Sequence, residues 1–218
     1  MIDKYKLIIF DWDGTLMDSV DRIVVCMKKA LVDLGYREPK YEEIQDLIGL
    51  SLEKTIQKLF KDIDQRGIDD ISAQYKKYWQ SNDVIDSKLF LNVQKVIIEL
   101  SKQGYLLAIA TGKSRNGLSK SLANSNLEHF FHATRCADET KSKPHPLMIE
   151  ELISELKVNK NQALMIGDTE FDMEMAKNAG IKAVGVSYGV HDKQRLSKSG
   201  AEYIMTDMIQ LLDYLKDR

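Results

Sequence analysis

The chain opens on a short apolar run, Leu7 to Phe10, with the length and bulk of a strand buried on both faces. From about Asp18 the apolar positions switch to helical spacing and keep it for about seventy residues. Val20, Ile23, Val24, Met27, Leu31 and Leu34 predict a first helix, capped by Asp18 or Ser19 and stopped by Gly35. A shorter helix is expected from Tyr41 to Ile48, a third behind a Ser51 cap, and a fourth after Gly67 carrying Ile71, Tyr75, Tyr78 and Trp79. No strand is expected within this block. Beyond it the rhythm alternates. Asn92 is expected to cap a helix ended by Gly104, ahead of a strand from Tyr105 to Ala110. A helix over 115–124 and a strand from Ala133 to Cys136 come next, and Pro144 is expected to open a helix, where its missing N–H costs nothing. Ala163 to Ile166 is a strand, 170–179 a helix closed by Gly180, and Ile181 to Val186 a strand. The pattern ends with a helix near 192–199, a strand at 203–205 and a helix over 207–215.

Strands alternating with helices specify an α/β fold: a doubly wound, mostly parallel, Rossmann-like sheet. The helical block reads as an inserted all-helical cap. Residues 1–16 and 86–218 would form the α/β core, and 17–85 the cap. At 218 residues and 44% hydrophobic content, the chain has enough apolar material for a core of ordinary size plus a smaller insert. The formal charge of −2 and the scattered basic residues give no reason to expect nucleic acid as a partner. No apolar run approaches the roughly 20 residues that span a bilayer, so no membrane is expected. The first residues carry no signal-peptide core, and Cys26 and Cys136 read as reduced thiols. A cytoplasmic location is the resulting expectation.

Four strand ends carry polar signatures. Asp11 and Asp13, two apart on an extended backbone, project to one side, while Trp12 points the other way and can help to wall a site. Asp-Gly is also a hairpin signal, but no partner strand follows Gly14. Carboxylates this close repel, and burying them calls for a cation between them. Thr111 and Gly112 end the next core strand, offering a hydroxyl and an amide that a phosphate can approach. Lys143, followed by Pro144-His145-Pro146, is preferred over its neighbours Lys113 and Lys141 as the cation that meets phosphoryl oxygens. Asp168 ends a fourth strand, and Asp172 lies in the following helical turn, where it also fits a helix-start charge. Asp11, Asp13, Asp168 and Asp172 would place four negative charges in one pocket against a single lysine. Oxygen-only ligands of this kind suit Mg²⁺ and suit zinc poorly.

Asp11-Trp12-Asp13-Gly14-Thr15 resembles the first motif of the haloacid dehalogenase-like hydrolase superfamily. Thr111-Gly112, Lys143 and Asp168 with Asp172 resemble its second, third and fourth motifs, in the same order. The nearest branch is phosphoglycolate-phosphatase-like, with a helical cap after the first motif. The resemblance implies a Mg²⁺-dependent phosphatase acting on a small phosphorylated metabolite, a phosphomonoester such as phosphoglycolate or a sugar phosphate. It implies that Asp11 attacks phosphorus to form an aspartyl-phosphate, and that Asp13 serves as acid and then base. Asp11, the backbone carbonyl of Asp13 and Asp168 would hold Mg²⁺, with Asp172 in support. Thr111, Gly112 and Lys143 would hold the phosphoryl group. A phosphomutase of the β-phosphoglucomutase type, a pyrophosphatase or nucleotidase, and a phosphate-accepting or phosphometabolite-binding module are the alternatives. Two departures from the family pattern stand out: Trp12 is bulkier than the aliphatic residue common there, and Leu91-Asn92 stands where relatives often carry Pro-Gly.

Other candidates have simpler readings. His129 and His132 sit among apolar neighbours and read as a packed helix end, and His145 as solvent-facing. Met165, Met173 and Met175 read as core filler. Tyr75, Tyr78 and Trp79 read as the core of the cap and not as a substrate platform.

Overall fold

Alternation along the first strand divides the core in two. Ile8 and Phe10 enter one buried cluster, Leu7 and Ile9 the other, and all four are fully buried. The computed structural model describes residues 5–81 and 86–216. In chain order the elements begin with β1 (Leu7–Phe10), β2 (Met17–Asp18), α1 (Val20–Asp33), α2 (Tyr41–Gln45), α3 (Leu52–Leu59) and α4 (Gln65–Gln80). They continue with β3 (Lys88–Leu89), α5 (Val93–Lys102), β4 (Leu106–Thr111), α6 (Arg115–Ser125), β5 (Ala133–Cys136) and α7 (Leu147–Leu156). The last are β6 (Ala163–Gly167), α8 (Glu170–Ala179), β7 (Lys182–Val186), α9 (Lys193–Ser199), β8 (Tyr203–Met205) and α10 (Gln210–Lys216).

Six strands form one parallel sheet in the order β5-β4-β1-β6-β7-β8. The face bearing Ile8 and Phe10 packs against α5, α6 and α10; the other packs against α7, α8 and α9. On that second face Ala108, Ala110, Ala133, Ala163 and Ala183 keep the sheet surface low, so Met148, Met173 and Met175 fill the space between layers. Fully burying each large apolar side chain contributes roughly 1.5–3 kcal/mol. β1 lies where the strand order reverses, with β4 on one side and β6 on the other, and ligands bind outside the carboxyl ends of strands at such a point.

Between β1 and α5 stands the helical insert. Val24, Met27 and Leu31 of α1, Ile44 of α2, Ile56 of α3, and Ile68 and Ile71 of α4 bury one another in a third cluster. Met17–Asp18 pairs antiparallel with Lys88–Leu89, so a short two-stranded ribbon joins the insert to the sheet. Two residues of alternation carry too weak a signal to distinguish this ribbon from a turn, which is why no strand was expected here. The expected return boundary at residue 85 lies outside the described residues.

Three local expectations are corrected. Ser19 stands at the start of α1, but its hydroxyl does not cap the helix; it donates to Asp13 Oδ1 at 2.5 Å. Pro144 does not open α7, which begins at Leu147 behind Pro146. Asn92 precedes α5 without capping it by its side chain: its backbone is left-handed, φ 62°, and its amide donates to both Asp207 oxygens at 3.0 and 2.9 Å. Asn tolerates this conformation better than other residues with a side chain, so it can stand where Gly is common. Replacing Asn92 by Ala should lower unfolding free energy by about 1–2 kcal/mol in urea titrations, and Asn92→Gly by less. Equal losses would assign the whole effect to the Asp207 bond and none to the backbone.

Candidate active site

β1, β4 and β6 end level with one another, because Phe10 is in register with both Ile109 and Ile166. The residues just past these ends therefore meet. Asp11 N donates to the Ile166 carbonyl at 2.9 Å, which fixes its backbone beside Asp168. Carboxylate oxygens of Asp11, Asp168 and Asp172 lie within 4.8 Å of one another, and all three residues are buried. Lys143 reaches them from the segment ahead of α7. Its ammonium is 2.7 Å from Asp11 Oδ1, in ion-pair contact outside hydrogen-bond alignment, and 2.6 Å from Asp172 Oδ1.

Each carboxylate is held by different donors. Asp172 Oδ2 accepts from Thr169 N at 3.1 Å and Thr169 Oγ1 at 2.7 Å, so the start of α8 orients it toward Lys143. Asp168 accepts from Thr15 Oγ1 at 2.8 Å and from Val190 N at 2.9 Å. Among the described residues, Asp11 has the Lys143 contact and no other donor at its oxygens. Gly14, at φ 84°, passes so close to Asp168 that a Cβ there would lie 2.1 Å from Oδ2. Any side chain at position 14 would push the first and fourth strand ends apart.

Asp13 departs from the expectation of four charges around one lysine. Its carboxylate lies outside the three-oxygen group and has its own cation: Lys113 Nζ donates to both oxygens, at 2.8 and 3.0 Å. Thr111 and Gly112 line the same cavity of about 450 Å³ as Asp11 and Asp13, while Lys143 stands behind Asp11 and does not line it. Trp12 does not wall this cavity. It is buried in the core, edge-on to Phe131 at 6.5 Å.

The insert closes over the cavity. A Cβ on Gly112 would lie 2.5 Å from the Leu50 carbonyl, so only glycine lets the turn after α2 rest on this strand end. Ser51 N donates to Ser142 Oγ at 2.9 Å, and Arg195 bridges Asp46 of the insert to Glu170 of α8. Trp79 of α4 places its ring 4.3 Å from Lys113 Nζ. Tyr75 packs against the core of the insert as expected and, with Trp79, also lines the cavity, while Tyr78 bonds Asp33. His129 and His132 are exposed, with His132 Nδ1 accepting from Leu107 N, and His145 is exposed as expected.

Lys113, Thr15, Ser19 and the loop at 187–190 join the site although the sequence pattern favours Lys143 over Lys113 and places Ser19 as a helix cap. Lys113 was legible, being two residues past the Thr111 strand end. The loop had a signal too: Ser187-Tyr188-Gly189 is a fifth polar strand end, and Tyr188 hydroxyl donates to the Thr15 carbonyl at 2.8 Å.

Burial raises the pKa of Asp11 well above the carboxylate range; Lys143 opposes this, and Asp172 and Asp168 add to it. Burial, then the charge of Asp172, lift Asp168 to about 7 against its hydrogen bonds. Burial works against the Lys143 ammonium, but Asp11 and Asp172 outweigh it and raise its pKa. Three buried carboxylates share one buried ammonium, so their full ionisation calls for a further cation. All-oxygen donors in such a place fit a hard divalent cation such as Mg²⁺.

Residues 8–186 match the family described as haloacid dehalogenase-like hydrolase. The chain belongs to that family. Among its members, pyrophosphatase PpaX of Bacillus thuringiensis is 28% identical over 215 residues, 98% of each chain. Phosphoglycolate phosphatase of Vibrio cholerae is 27% identical, covering 95% of this chain and 96% of the relative. A solved haloacid dehalogenase-like hydrolase from Streptococcus pneumoniae superposes with a TM-score of 0.83 at 26% identity, over 96% of this chain and 98% of that one. A predicted phosphoglycolate phosphatase from Haemophilus somnus gives 0.87 at 25%, over 96% and 97%.

The family's carboxylate cluster has a consequence for stability. An acid whose folded pKa is raised binds its proton more tightly when folded, so stability is fully present below the unfolded value and falls as pH rises through the folded one. Chelator-treated protein should therefore lose melting temperature from about pH 4 to about pH 7, the span between the ordinary Asp value of 3.8 and about 7 for Asp168. Added Mg²⁺ should restore melting temperature at pH 7.5 and have little effect at pH 5. A melt series in EDTA and in MgCl₂, repeated with Asp168→Asn, measures this; indifference to Mg²⁺ at pH 7.5 would exclude the metal site.

Proposed function

We propose that the protein is a Mg²⁺-dependent phosphatase that hydrolyses a small phosphorylated metabolite through an aspartyl-phosphate on Asp11. The observation that carries this reading is Asp11 itself, a buried carboxylate met by the Lys143 ammonium and lining a cavity it shares with Asp13. Residues 17–85 act as a cap over a core of 1–16 and 86–218, excluding water from the reaction.

An Asp11 oxygen attacks phosphorus in line with the ester oxygen, and the bond from phosphorus to the leaving group breaks. Asp13, two residues along the same strand end, gives its proton to the leaving oxygen. The carboxylate so formed takes a proton from water, whose oxygen attacks the aspartyl-phosphate. Inorganic phosphate leaves and Asp11 is regenerated. Thr111 hydroxyl and Gly112 N–H orient the phosphoryl oxygens, and Lys143 offsets the charge of Asp11 from behind. Asp11, the backbone carbonyl of Asp13 and Asp168 would hold Mg²⁺, which when bound neutralises phosphoryl oxygens. Asp172 supports that set by fixing Lys143. Cys26 and Cys136 are buried free thiols, pushed up to about 11 and about 12 by burial, which suits a cytoplasmic enzyme.

A phosphate-release screen with Mg²⁺, across phosphoglycolate, sugar phosphates, nucleotides and pyrophosphate, tests this function and selects among its alternatives. Asp11→Asn should lower turnover on the best substrate by on the order of 10³-fold or more. Equal release by wild type and Asp11→Asn would overturn the mechanism.

A further inference from the structure

We propose that Lys113 selects substrates whose leaving group itself carries a negative charge; this deepens the phosphatase reading and rests on it. Lys113 follows Thr111-Gly112 directly, and its ammonium holds both Asp13 oxygens at 2.8 and 3.0 Å. In the proposed reaction Asp13 gives its proton to the leaving oxygen. A group bonded to Asp13 therefore stands beside the leaving group, not beside the transferred phosphoryl. Lys143 occupies the opposite position, behind Asp11 and in contact with Asp172. The two lysines divide the substrate between them: one serves the phosphoryl half, the other the departing half.

The surroundings of Lys113 limit its hydration. Its side chain is 9% exposed and that of Asp13 11%. Trp79 of the cap lies 4.3 Å from the ammonium, so water is displaced by an aromatic face that favours a cation. A charge removed from water in this way discriminates strongly between an anionic and a neutral neighbour. Ile23, Met27, Ile44 and Ile68 make one part of the cavity lining apolar, while Ser51, Gln65, Ser72 and Asn116 add neutral polar groups to it. Glu53, Asp69 and Asp138 also line it, as do Lys76 and Lys120, so the contact of Lys113 with Asp13, not the overall charge of the cavity, carries the inference. A carboxylate or phosphate on the leaving group draws Lys113 toward itself, while an uncharged one leaves it on Asp13.

Steady-state kinetics on matched pairs test this: phosphoglycolate against 2-hydroxyethyl phosphate for a carboxylate, and pyrophosphate against methyl phosphate for a phosphate. Wild type should favour the anionic member of at least one pair by on the order of 30-fold in kcat/KM. Lys113→Met should reduce that ratio to a few-fold, chiefly by raising KM for the anionic member, and Trp79→Leu should reduce it in part. Lys113→Arg, which keeps the charge and guards against misfolding as the cause, should retain most of the ratio. The pair that responds identifies the anion. An unchanged ratio in Lys113→Met, with both members hydrolysed, overturns this inference alone. Phosphate release no greater in wild type than in Asp11→Asn, on all four compounds, overturns the phosphatase reading and this inference with it.

Discussion

The site depends on one buried ammonium. Lys143 is fully buried and touches Asp11 on β1 and Asp172 on α8, so it joins elements from opposite ends of the sequence. Removing an ion from water costs several kcal/mol, and only close, well-oriented partners offset it. Those partners are placed by the sheet: Asp11 by its bond to the Ile166 carbonyl, Asp172 by the turn that starts α8 at Thr169. One lysine does not balance three carboxylates. The fold therefore gathers more carboxylates than cations at the carboxyl ends of its central strands, and a divalent cation is the natural complement of their ionised forms.

The helical insert completes a second centre of charge. Asp13 lies outside the three-carboxylate group and is held by Lys113 and Ser19, one just past β4 and one from the start of the insert. Trp79 covers that lysine, and the Gly49–Leu50 turn rests on Gly112. The insert is thus packed against the same strand end that carries Thr111 and Lys113. Its surface contacts are weaker. The Arg195 bridge between Asp46 and Glu170 is partly exposed, and such pairs contribute little to stability, about 0–1 kcal/mol. The firmer contacts of the insert with this strand end are the Trp79 ring over Lys113 and the Gly49–Leu50 turn against Gly112.

Much of this was legible because it is local. Glu170–Ala179, Ala133–Cys136 and the parallel sheet follow from apolar spacing and turn residues, and the structure has all of them. The first four strand ends could be found by looking for polar residues just after apolar runs. What sequence does not encode locally is the direction a side chain takes once elements pack. Ser19 and Asn92 both sit where caps belong, yet their side chains bond Asp13 and Asp207, because burial gave those carboxylates a stronger claim on a donor. Trp79 has the spacing of a core residue in α4, and only the closure of the insert over β4 turns it toward the cavity.

The two lysines show where that boundary lies. Lys113 and Lys143 each stand near a strand end followed by a helix, and by composition either could be the phosphate-side cation. The Pro-x-Pro after Lys143 marks an unusual turn, but says nothing of what its ammonium touches. Sheet order decides. β4 borders β1, so a residue just beyond Thr111 reaches the strand end where Asp13 begins its turn. Lys143 lies between β5 and α7, and α7 packs on the same sheet face as α8, bringing it to Asp172 from the other side. Positions that are interchangeable in the sequence become distinct because a doubly wound sheet has two faces, and each lysine approaches the end of β1 from its own.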